Sequence, residues 1–367
     1  MTPRRAEPSP FPFQGPLEPE EVVGRDDLVA QLVAQVTARR VTALLGPRRY
    51  GKTSVLRRLA AECAEATVVW VDLYEVASMA DVAARFDQAL AAVADGPFAR
   101  AARAVAATVA VNLGMLRVEL RGQPRDRPDP ALSFAAVLDV LVAAADRHET
   151  LLVIDEFSFI SRVPAAAGAL RTALQHRYRQ VGIVVAGSQP SMMRTLFTSR
   201  AEPFYGQAEL LEISPLPLAA VHEVVTAGFE RTGRHPGPTA ALVWDVGRGH
   251  PMRSMQLADA VWAYTDPGAT VDAATWAAAL EGLRAREAEP LERLFSQMAE
   301  SDKAVLRAVA HTGSVYGAEA ALLGVAGGAA AAARRRLLDR GDVVPDGPTV
   351  RVTDPLLADW IRRRFPL

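Results

Sequence analysis

The stretch Gly46-Pro47-Arg48-Arg49-Tyr50-Gly51-Lys52-Thr53 constrains this chain more than any other. It fits G-x-x-x-x-G-K-[ST], the phosphate-cradling loop known as Walker A. Its flanks suit that reading. Val41 to Leu45 is a short apolar run that reads as a buried strand, and Thr53 to Ala66 carries apolar residues at helical spacing. The two glycines permit the tight backbone in which successive N–H groups turn toward an anion, and the helix that follows adds its free N-terminal donors. The segment Gly46, Pro47, Arg48, Arg49, Tyr50, Gly51, Lys52, Thr53 and Ser54 is therefore expected to hold the phosphates of ATP. Lys52 is assigned to the β- and γ-phosphates and Thr53 to Mg²⁺.

Composition sharpens the assignment of Lys52. The chain has 41 lysines and arginines, and only Lys52 and Lys303 are lysines. A basic position filled by composition alone would be arginine. Lysine stands where the chemistry wants a compact ammonium.

The rest of the chain alternates apolar runs with helical patterns. Thr67 to Leu73, Leu151 to Glu156, Gly182 to Gly187 and Glu209 to Ile213 read as four further strands. None alternates polar with apolar, so the expected fold class is α/β: a parallel five-stranded sheet covered on both faces. Ligands of such sheets sit beyond the carboxyl ends of the strands. The third run ends in Asp155-Glu156, the Walker B pattern. Asp155 is the expected Mg²⁺ holder, and Glu156 the base that polarises the attacking water.

With 367 residues the chain has room for two or three domains. Residues 1–20 carry six prolines and are expected to form a disordered arm, in which Phe11 and Phe13 could anchor to a partner or to the protein itself. The ATPase core is expected over 21–216 and a helical lid over 217–287. The lid helices are placed at Ala219 to Thr232, Ala240 to Val246, Met252 to Tyr264 and Ala273 to Arg284. Residues 288–367 read as a winged helix: three helices, a hairpin around Pro345-Asp346-Gly347-Pro348, and a closing helix. Its third helix bears Arg334, Arg335, Arg336 and Arg340, which would face duplex DNA if this module bound it. The residues around 95–130 form an insertion of unassigned structure.

Net charge is −1, so no global field draws the protein to nucleic acid or membrane. No run is long and apolar enough for a transmembrane helix, and Arg4 and Arg5 are followed by prolines rather than a leader's apolar stretch. One cysteine, Cys63, forms no internal disulfide, which suits a cytoplasmic location.

Gly-Arg-Asp-Asp, Gly-Pro-Arg-Arg-Tyr-Gly-Lys-Thr-Ser, Ile-Asp-Glu-Phe, Ala-Gly-Ser-Gln, Pro-Phe-Tyr-Gly and Val-Thr-Asp-Pro-Leu-Leu-Ala-Asp-Trp follow one another in this order. Over residues 20–367 the chain thereby resembles the archaeal-type ATPases of the STAND branch of P-loop NTPases, close to AAA+. The resemblance implies an ATP-driven switch acting on a protein partner, as a monomer or a nucleotide-dependent oligomer. It implies that Val22, Val23, Gly24 and Arg25 pack on the adenine, with Pro251 of Gly249-His250-Pro251 nearby. It also implies that Ser188 or Gln189 faces the γ-phosphate and that Arg253 senses it. The chain departs from the family at Gln207, where members carry an arginine. Turnover is therefore expected to be slow, or to draw on Arg200, Arg253 or a partner. A DNA-binding protein under ATP control is the alternative.

Overall fold

The structure is a computed structural model that describes residues 7–93, 96, 98–104, 106, 129–315, 321, 323 and 327–366. The insertion predicted around 95–130 and the winged helix's second helix, predicted at 316–323, lie mostly outside the described residues.

One five-stranded parallel sheet forms the N-terminal half. Its strands are β1 (Thr42–Leu45), β2 (Thr67–Asp72), β3 (Thr150–Asp155), β4 (Val181–Gly187) and β5 (Glu209–Glu212), in the order β2-β3-β4-β1-β5. The three central strands are buried at every residue, while β2 and β5, at the two edges, expose some of theirs. This is why the central runs show no alternation. Helices α1 (Asp26–Thr37), α2 (Lys52–Glu62), α3 (Met79–Ala92), α4 (Pro130–Ala145), α5 (Pro164–Leu174) and α6 (Pro190–Thr198) cover the sheet. Register pairs Leu45 with both Gly187 and Glu212, and Asp72 with Asp155. The phosphate loop, Asp155 and Ser188 therefore emerge at one end of the sheet.

Helices α7 (Leu218–Arg231), α8 (Thr239–Gly247), α9 (Pro251–Ala263) and α10 (Ala273–Ser296) follow. The boundary expected between residues 287 and 288 falls inside α10. This helix continues past Arg284 and through Pro290, because Leu291 and Phe295 bury their side chains further along. Then come α11 (Glu300–Thr312), α12 (Gly327–Arg340), the antiparallel hairpin of β6 (Val343–Asp346) and β7 (Thr349–Val352), and α13 (Pro355–Arg364). Residues of α7 to α10 and of the C-terminal unit share one continuous apolar core, from Val221 and Trp262 through Phe295 to Leu337 and Ile361. The lid and the C-terminal unit are thus packed as one body.

The disordered arm is corrected for residues 7–20. They adopt no helix or strand before the short 3-10 turn Pro19–Glu21, yet Phe11 is only 1% exposed. It packs on Phe229, with ring centroids 5.6 Å apart, and over Gly228, where a Cβ would lie 2.4 Å from the ring. Glu7 pairs with Arg234, and Pro10 O accepts a hydrogen bond from Arg231. The prolines set the arm's extended course, and burial of Phe11 outweighs the cost of ordering it.

Candidate functional site

The phosphate loop leaves β1 at Gly46, which must be glycine because a Cβ there would lie 2.2 Å from Ile213 Cγ2 at the end of β5. Gly51 caps α2 at φ 83°, and Arg49 also takes a left-handed φ of 65°. Two such residues around Tyr50 curl the loop over the helix N-terminus, whose first N–H groups lack intrahelical partners. Lys52 lies inside the curl. Its Nζ donates to Gly46 O at 2.9 Å and Pro47 O at 2.8 Å. Burial pushes its pKa down to about 8, against the attraction of Glu156 and Asp155, while Arg48 lowers it further. A desolvated ammonium held only by carbonyls is primed for a stronger anionic acceptor.

Across the loop, Thr53 Oγ1 donates to Asp155 Oδ2 at 2.7 Å. Burial raises the Asp155 pKa, against the hydrogen bonds from Thr53 and the Glu156 N–H. Glu156 sits just past β3 in a left-handed backbone, φ 51° and ψ 37°, a strained state of the kind found at functional sites. That turn aims its carboxylate sideways to β4. There Ser188 donates to Glu156 Oε2 from its hydroxyl at 2.7 Å and its N–H at 3.2 Å. Ser188, rather than Gln189, is the residue that reaches the carboxylate. Lys52, Thr53, Asp155, Glu156 and Ser188 are thus joined in one place from three strand ends.

A cleft of about 780 Å³ opens beside these groups. Arg48, Arg49, Gly51, Lys52, Thr53 and Glu156 line it. So do the apolar Phe13, Val22, Val23, Leu216, Val224 and Met255, and the charged Arg25, Arg253 and Glu287. Pro251 lines it too, at the first turn of α9. Arg25 is buried, with Nη2 3.5 Å from Tyr50 O, and desolvation pushes its pKa down to about 10, against the Tyr50 charge. Gly24 does not line the cleft. A Cβ there would lie 2.3 Å from Ala220 Cβ, so Gly24 instead presses its segment onto α7. Ser54 lines the cleft, and its hydroxyl accepts from Leu17 N at 3.0 Å.

No family model matches the sequence, and no curated protein does. Solved structures do. A Walker-type ATPase of Pyrococcus abyssi superposes with a TM-score of 0.69 at 16% identity, over 96% of this chain and 99% of that one. The ORC2 protein of Aeropyrum pernix superposes at 14% identity over 97% and 98% of the two chains, with TM-scores of 0.58 for its ADPNP–ADP complexes and 0.51 for its ADP form. The chain has the fold of these two proteins.

Within this fold several of the remaining predicted residues have partners of their own. Arg253 lines the cleft, but its guanidinium is committed elsewhere. It donates to Asp354 from Nε and Nη2, and to Gln256 and Glu287 from Nη1. Burial works against its charge, and Asp354 and Glu287 more than restore it. Gln207 bonds the Tyr178 hydroxyl and does not line the cleft, and neither does Arg200. On α12, Arg336 and Arg340 both bind buried Asp302, and Arg335 faces Asp339 on its own helix. The helix itself packs on α6, where Ser191 Oγ donates to Asp339 at 2.5 Å. Among the described residues no three His, Cys, Asp or Glu side chains gather as a metal site, and no helix is long and apolar enough to cross a membrane.

Three residues outside the sequence assignment join the site. Arg351 of β7 reaches the Tyr50 hydroxyl at 3.3 Å, and Asp354 binds Arg253. Phe13 lines the cleft. Asp354 had a readable signal, the Asp-Pro that caps a helix. Arg351 had none beyond its position in the hairpin.

Proposed function

We propose that the protein binds and hydrolyses ATP as a slow molecular switch, with nucleotide state setting the position of the lid and C-terminal unit and so recruiting a protein partner. The single observation that carries this is the convergence, at one end of the sheet, of Lys52 held by the Gly46 and Pro47 carbonyls with the hydrogen-bonded pairs Thr53–Asp155 and Ser188–Glu156. The fold's likeness to a Walker-type ATPase, and to a protein described with ADPNP and ADP, supports it.

Each residue has a task in this reading. The loop N–H groups and Lys52 bind the β- and γ-phosphates. Glu156 orients a water and accepts its proton, and Ser188 fixes the carboxylate for that purpose. Mg²⁺ held by Thr53 and Asp155 would offset charge on the phosphates; the close hydroxyl–carboxylate pair is a donor set that suits it. With Gln207 outside the cleft and Arg253 ion-paired, neither is free to meet the γ-phosphate, so turnover is slow without a partner's arginine. The switch is supported by Arg351–Tyr50 and Asp354–Arg253, which tie the C-terminal unit to the loop and cleft. The alternative of ATP-controlled duplex DNA binding through α12 would first require Arg336 and Arg340 to leave Asp302.

ATP turnover by the wild type, Lys52→Ala and Glu156→Gln, with and without duplex DNA, tests the reading. Loss in both variants supports it. Turnover unchanged in either sinks the assigned site, and stimulation by DNA moves the alternative ahead.

A further inference from the structure

The N-terminal strap, residues 7–18, has no role in the function proposed above. It does not simply cover the surface. Pro12, Phe13, Gln14, Gly15, Pro16 and Leu17 are consecutive, and all six line the nucleotide cleft. The strap is fastened on both sides of it. On the lid side Phe11 is buried over Gly228 and Phe229 of α7, and Pro10 O accepts from Arg231. On the core side Leu17 N donates to Ser54 Oγ in the first turn of α2. Between these anchors Phe13 is partly buried, packed against the lid core and lining the cleft.

We propose that the strap is the outer wall of a nucleobase site and that Phe13 is the aromatic platform on which the base stacks. The inference rests on the nucleotide reading of the cleft. Its direction comes from the mixed lining of the cleft. The phosphate-binding groups share it with Phe13, Val22, Val23, Leu216, Val224 and Met255. A nucleoside triphosphate is mixed in the same way, with an anionic tail and a flat aromatic head. Every base offers a π-face, so a phenyl ring adds affinity for the head and none for the tail. The apolar Val22 and Val23 line the same cleft beside the strap. Because the strap also spans from α7 to α2, a base held against it draws on the lid and the loop together. Base occupancy and lid position are thereby coupled through residues 11–17.

The test separates head from tail. Affinity is measured by calorimetry for Mg·ATP and for Mg·tripolyphosphate, with thermal melts alongside, on the wild type, Phe13→Ala, Phe13→Tyr and Gly228→Ala. Gly228→Ala places a methyl where Phe11 sits and raises helix propensity, so it displaces the strap without weakening α7. Phe13→Ala and Gly228→Ala are expected to weaken ATP binding about ten- to a hundredfold and to leave tripolyphosphate binding as in the wild type. Phe13→Tyr is expected to bind both ligands as the wild type does. Unchanged ATP affinity in Phe13→Ala overturns the proposal, as does an equal loss for both ligands, which would mean general damage to the site. Equal wild-type affinity for ATP and tripolyphosphate also overturns it, while leaving the phosphate site standing. Wild-type protein that binds neither ligand overturns the nucleotide reading itself.

Discussion

Asp354, the N-cap of the last helix, grips Arg253 of the cleft with Oδ1 at 3.0 Å from Nε and Oδ2 at 2.6 Å from Nη2. The same carboxylate accepts from the N–H groups of Leu356 and Leu357. One side chain thus starts α13 and fastens the C-terminal unit to the first turn of α9. Burial disfavours its charge, and Arg253 nonetheless holds its pKa below the usual carboxylate value. While this grip lasts, Arg253 is not free to meet a phosphate.

Asp354→Asn tests that grip, because asparagine keeps the cap and removes the charge. Glu287 still neutralises Arg253, so the loss is expected to be about 2 kcal/mol, below the 3–5 kcal/mol of an abandoned buried pair. The melting temperature should fall, and proteolysis within α11 to α13 should quicken. If both readings match the wild type, the pair does not fasten the unit.

Glu156→Gln separates binding from chemistry. The amide still accepts from Ser188 but cannot take a proton from water. ATP affinity should stay within a few-fold of wild type while turnover falls about 10²–10⁴-fold. Ser188→Ala removes the hydroxyl that fixes Glu156, and a smaller loss of turnover, on the order of tenfold, is expected from one charge-assisted hydrogen bond. Steady-state phosphate release, with ATP affinity measured separately, reads both.

Most of the site was legible because its chemistry is carried by consecutive residues. Gly46 to Ser54 and Asp155-Glu156 are short strings whose spacing is fixed by one loop and one strand end. The central strands were legible for a related reason: full burial leaves runs without polar interruption. The strap was not. Six prolines signalled no regular structure, and although Phe11 and Phe13 stood out as anchors, nothing local chose between a partner and the space over Gly228. The commitment of Arg253 was hidden too, since Asp354 and Glu287 are 101 and 34 residues away. The helix expected to end at Arg284 ran on as α10 through Pro290 to Ser296, because Leu291 and Phe295 are buried beyond the proline.

The depressed pKa of Lys52 gives ATP binding a pH dependence. Free Lys52 loses its proton near pH 8, mainly because it is buried. Phosphate oxygens beside it favour the ammonium, so its pKa rises on binding. Protons are therefore taken up on binding around and above pH 8, and affinity falls as pH rises through that range. Calorimetric titrations at pH 8.5 in buffers of different ionisation enthalpy should give different heats. Lys52→Arg should abolish the difference, because arginine stays charged. Equal heats for the wild type would mean that Lys52 does not change protonation.

His250 makes stability fall on mild acidification. Its ring is buried, edge-on to Tyr50 at 5.0 Å, and Nδ1 accepts from Arg253 N at 3.3 Å. Burial pushes its pKa from 6.5 down to about 4; Asp354 opposes the shift, and the charges of Arg253 and Arg351 add to it. Between those two pH values the unfolded chain binds a proton at this position and the native protein does not. Stability therefore declines as pH drops from 6.5 toward 4. By pH 5 the decline should reach about 2 kcal/mol, before most carboxylates titrate. His250→Asn retains an acceptor for the Arg253 N–H and removes the titration. Urea unfolding at pH 7 and pH 5 should show the wild type losing more stability than His250→Asn by about that amount. Equal losses would place the proton on His250 in the native state as readily as in the unfolded one.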